Sequence, residues 1–183
     1  MRETKRRRLS AGFSLLETMV ALIVLAVGIL GLAALLYDSL SYMQGSQDDF
    51  IAQQKAEEAA EAIFTAKYTN GITWPQLSNN TVANPAGLFL LPPQPILQPG
   101  AADGLVGTVA DAGSPAEFVL TPGPDQKLGT ADDVKMPLSK FTRTILIANT
   151  ADTNLRQITI TVNYTSGPFQ RAYTMTTYVA AFN

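Results

Sequence analysis

Few side chains in this sequence can do chemistry. It has no His and no Cys. That removes the commonest general base and metal ligand, and it excludes disulfides and thiolate metal sites. What remains is Asp, Glu, Lys, Ser, Thr and Tyr. One group of these is repeated. Residues 103–111 read DGLVGTVAD and residues 125–133 read DQKLGTADD, both fitting D-x3-G-T-x2-D. Loop carboxylates around a Gly turn can bind Ca2+, which takes about six to eight oxygens. Asp125, Thr130, Asp132 and Asp133 are the candidate ligands, and Ca2+ is the one cofactor the sequence raises. The EF-hand spacing is absent. A pair of solvated turns, with Asp and Gly serving turn geometry, is the competing reading. There is no phosphate-binding Gly loop, zinc-ligand spacing or nucleophile motif. The chain therefore reads as a structural component and not an enzyme.

The second group lies near the N-terminus, where residues 12–17 read GFSLLE. Before it, Arg2, Lys5, Arg6, Arg7 and Arg8 stand against Glu3, so residues 1–12 carry +4. After it, the 24 residues Phe13–Leu36 are nearly all apolar and carry one charge, Glu17. As a helix this run would be about 36 Å long, enough to cross a hydrocarbon core of ~30 Å. The basic flank holds that end on the cytoplasmic side. A secretory signal peptide fits the basic start, but the apolar run is too long and has a carboxylate at its entrance. A plain single-span anchor fits length and flank, yet leaves Gly12 and Glu17 without a reason. An ionisable group in such a run costs up to about 3 kcal/mol if central, and marks function.

GFSLLE behind a short basic leader resembles the prepilin cleavage and methylation motif of type IV pilins and type II secretion pseudopilins. In that family a membrane aspartic peptidase cuts after the Gly and methylates the new N-terminal residue. The resemblance therefore implies processing at Gly12 and Phe13, with N-methylation of Phe13. Gly lacks Cβ and suits a narrow, extended substrate channel. Glu17 becomes the fifth mature residue. The resemblance implies that it pairs with the N-terminal ammonium of a neighbouring subunit, an assembly role that neutralises two charges in the membrane. The competing reading is that Glu17 reaches the interface or pairs with its own terminus. Met19–Ala33, MVALIVLAVGILGLA, closely resembles PilV-type minor pilins. No Pro interrupts the membrane half, a departure from many major pilins.

These residues need elements to position them. A 3–4 pattern continues past Leu36 through Leu40, Met43, Gln47, Phe50 and Gln54, then Ala59, Ala62, Ile63 and Ala66. Asp48, Asp49, Glu57, Glu58 and Glu61 should then face water. One helix of about 50 residues is expected from near Phe13 to near Lys67, stopped by Tyr68-Thr69-Asn70-Gly71. Residues 70–116 are rich in Pro, Asn and Gly and read as an irregular connection, with Trp74 and Phe89 available to pack it onto the helix. Alternation of period two follows in Phe141–Ile147, Ile158–Tyr164 and Tyr173–Val179, with a turn at Thr165–Pro168. Adding Glu117–Thr121 gives about four antiparallel strands.

The expected fold class is α+β: a long N-terminal membrane-spanning helix packed on a C-terminal antiparallel β-sheet head, as in pilins. The expected division is leader 1–12, membrane and assembly half 13–36, amphipathic half 37–68 and head 69–183. Residues 13–183 carry 8 basic and 14 acidic side chains, a net −6, so a nucleic-acid partner is not expected. The resemblance implies a prepilin peptidase, other pilin subunits, the pilus assembly machinery and the inner membrane as partners. It places the head in the periplasm and later on a pilus at the cell surface. A minor pilin, a type II secretion minor pseudopilin and a membrane-anchored adhesin that never polymerises all fit these residues.

Overall fold

A computed structural model describes residues 14–98, 104–167 and 169–181 of the chain. It divides into two compact units, Met1–Met43 and Gln44–Asn183. The first unit, where described, is the N-terminal part of helix α1, Leu15–Tyr68. Every described side chain up to Met43 is exposed. Among the described residues α1 is the helix long and apolar enough to cross a membrane, by length and composition. The charge-free run after Glu17 explains why it can.

The second unit begins with the remainder of α1. Its buried stripe is Gly45, Asp48, Ile51, Ala52, Lys55, Ala56, Ala59, Ala60, Ile63, Ala66 and Lys67. This corrects the expected face. Gln47, Phe50 and Gln54 are exposed, Phe50 by 67%, whereas Asp48 is buried at 5%. The stripe is rotated because small Ala side chains, not the large apolar ones, let the sheet approach the helix. Asp48 tolerates burial because Lys140 reaches its Oδ1 at 2.6 Å.

The helix ends on a Schellman motif. Asn70 takes a left-handed φ of +57°. Its N–H donates to Lys67 O, and Gly71 N–H donates to Ala66 O at 2.8 Å. Asn supplies the left-handed residue and Gly71 the one after it.

The main sheet has the order β3-β6-β7-β8, with β3 Gln94–Pro95, β6 Phe141–Asn149, β7 Leu155–Ser166 and β8 Phe169–Ala180. All its pairs are antiparallel. Phe141, Arg143 and Ile145 on β6, and Ile158, Ile160, Val162 and Tyr164 on β7, are buried on one face as their alternation requires. The expected fourth strand is different. Phe118–Thr121, β4, pairs not with this sheet but with β5, Val134–Pro137, in a separate two-stranded ribbon. Gln94–Pro95, inside the Pro-rich connection, takes the place beside β6. Pro95 is tolerated there because β3 is an edge.

The 70–116 connection is irregular as expected, with β1 Asn79–Asn80 and β2 Phe89–Leu90 paired in parallel and one 3-10 turn, Val109–Asp111. It is nevertheless part of the core. Phe89 and Leu105 are fully buried in the same cluster as Ile63 and Phe141. Trp74 packs against that cluster, with the Arg156 guanidinium 4.4 Å over its ring.

Beyond β3, among the described residues, no strand pairs with the upper half of β6 on the side away from β7. Asn79 substitutes with its side chain. Its Nδ2 donates to Ile145 O at 2.6 Å and its Oδ1 accepts from Ile147 N at 2.7 Å. One amide thereby satisfies two ladder positions of a buried strand. Gly87 makes this possible, since a Cβ there would lie 2.4 Å from Asn79 O.

Candidate functional site

The candidate assembly site is the start of α1. Gly12 and Phe13 lie outside the described residues. Ser14 does not, and it caps the helix. The Glu17 N–H donates to Ser14 Oγ at 3.2 Å, and Thr18 N–H donates to Ser14 O. Ser14-x-x-Glu17 is the capping-box spacing, which satisfies donors that lipid cannot. The sequence reading missed Ser14, although its signal was present. Glu17 is therefore the third residue of the helix, in the turn where the macrodipole favours a negative charge. Beyond it the helix carries no charge for 20 residues, Thr18–Tyr37, up to Asp38. Leu15, Leu16, Met19 and Val20, on the turns around it, are all exposed.

The head is tied to its own stretch of helix by three ionic contacts. Lys140 meets Asp48, and Arg171 Nη1 reaches both oxygens of Asp49 at 3.3 Å. Lys55 lies between Glu58, one turn on, and Glu117 from the segment before β4. Burial pulls the Lys55 pKa down, but the hydrogen bonds to Glu117 and Glu58 outweigh it and hold the ammonium above its ordinary value. The Tyr164 hydroxyl donates to Asp49 Oδ1. Burial first, and then this carboxylate, push its pKa up to about 12. Arg143 is 4% exposed on the core face of β6 and donates to Lys55 O at 3.2 Å. Burial lowers its pKa, against the opposing pull of Glu58, Glu117 and Asp111. These groups fasten sheet and loops to the helix and present no paired acid and base to a substrate.

The two halves of the acidic repeat, where described, form the same turn. Gly107 and Gly129 both have positive φ, +77° and +88°. In each, the Asp four residues after the Gly caps the Thr backbone N–H: Asp111 Oδ2 accepts from Thr108 N at 3.0 Å, and Asp133 Oδ2 from Thr130 N at 3.2 Å. Asp133 Oδ2 also accepts from Gly129 N at 2.7 Å. Asp132 accepts from the Thr130 hydroxyl and from Asp125 N. The Thr130 bond leads in lowering its pKa. Asp125 Oδ1 accepts from Lys127 N. The structure thus brings Asp125, Thr130, Asp132 and Asp133 into one loop between β4 and β5, where both Asp132 oxygens, Asp125 Oδ1 and Asp133 Oδ2 accept from the loop's own donors and Asp133 Oδ1 is buried without a hydrogen-bond partner. Among the described residues no three acidic side chains are grouped so as to hold a metal ion.

Residues 7–33 match the family model for the prokaryotic N-terminal methylation motif. No curated protein and no solved structure matches the chain. The matched stretch contains Gly12, Phe13 and Glu17 together with most of the apolar run. An apolar helix of this length and the motif together fit an anchor in the inner membrane. The methylation motif, the long helix that follows it and the antiparallel sheet packed on that helix's second half support a type IV pilin-like prepilin, a class that takes in both pilins and pseudopilins and is structural in character.

Proposed function

We propose that this chain is a minor, PilV-type pilin that is incorporated into a type IV pilus or assists its assembly. It is cut after Gly12 by a prepilin peptidase and N-methylated at Phe13. It waits in the inner membrane with its head in the periplasm. It is then drawn with other pilin subunits into a filament at the cell surface. The observation that carries this reading is Glu17, the sole charge between Ser14 and Tyr37, in the first turn of a helix whose whole described surface there is exposed. A carboxylate in lipid needs a cationic partner. The ammonium created by the cut, on a neighbouring subunit, has the right charge and depth. N-methylation keeps that charge while adding apolar surface. The uninterrupted helix, without Pro in its membrane half, favours a minor over a bulk subunit.

Mass spectrometry of the membrane-extracted protein tests the maturation. A methylated Phe13 terminus is expected, and an intact Met1 terminus overturns it. Glu17→Leu should insert normally and be depleted from sheared pili in immunogold labelling. Normal incorporation of that variant removes the assembly role. A type II secretion minor pseudopilin shares the same N-terminal chemistry, and label confined to a secretion apparatus selects it. A membrane-bound adhesin that never polymerises predicts no label on filaments.

A further inference from the structure

We draw no further inference here: the strongest candidate, the cavity of about 50 Å³ beside the buried Arg143, between β3 and the 3-10 turn Val109–Asp111, is room for ordered water and no larger ligand, and its polar walls belong to the helix-fastening and turn-capping contacts already described.

Discussion

Asn79→Ala is the sharpest perturbation of the head. It deletes the amide that stands in for a strand beside β6, leaving Ile145 C=O and Ile147 N–H without their partner. Ile145 is 2% exposed, so water does not replace the lost donor there. A lost neutral hydrogen bond costs about 1 kcal/mol, and an orphaned buried carbonyl about 1–3. The sum is about 3 kcal/mol, or roughly 10 °C in the unfolding temperature of a domain of this size. Trp74, the sole tryptophan, packs on the same core and reports unfolding by fluorescence in urea. Asn79→Asp sharpens the test. At neutral pH its carboxylate still accepts from Ile147 N–H but opposes Ile145 O, so it should be at least as unstable as the Ala variant. Protonation restores a donor, so the folded pKa of this Asp lies above its unfolded value of about 3.9. Its added stability, measured against wild type, is therefore present below pH ~4 and lost as pH rises through the folded pKa. An Asn79→Ala cost under about 0.5 kcal/mol, or an Asp variant insensitive to pH relative to wild type, would refute the strand-substitute reasoning.

Three further outcomes are expected. Tyr164 should ionise near pH 12, about two units late. Because its folded pKa is raised, the stability it adds is complete below pH ~10 and disappears between there and about 12. Ultraviolet difference titration against Tyr164→Phe reads this directly, and a midpoint near 10 contradicts it. Asn70→Ala should cost about 1–2 kcal/mol, because a Cβ without a local polar group disfavours the left-handed region, whereas Asn70→Gly should be near neutral. Urea midpoints decide between that pattern and a simple contact loss, in which both variants would suffer. Calorimetry on residues 38–183 decides the Ca2+ expectation. With Asp132 and Asp133 engaged by the loop's own donors we expect no heat at millimolar Ca2+, and a saturable heat would show that the loop gives those bonds up.

The sequence by itself determined everything that depends on local pattern. The apolar run and its lone Glu17 mark the span, Asn70-Gly71 the helix stop, and strict alternation in Phe141–Ile147 and Ile158–Tyr164 the inner face of the sheet. Such features are set within a few residues of chain by periodicity and turn chemistry. The tertiary structure decided what depends on meetings between distant segments. Which side of α1 is buried turned on close approach at Ala52, Ala56 and Ala59, so Phe50 points outward and Asp48 inward onto Lys140, 92 residues away. Gln94–Pro95 beside β6, and Asn79 completing the same strand, rest on pairings that a Pro-rich loop does not advertise. The acidic repeat was visible as a pattern, but its hydrogen bonds assign Asp111 and Asp133 to the same turn-capping task. Local propensity sees neighbours along the chain, whereas burial and partner choice are fixed only when the core closes.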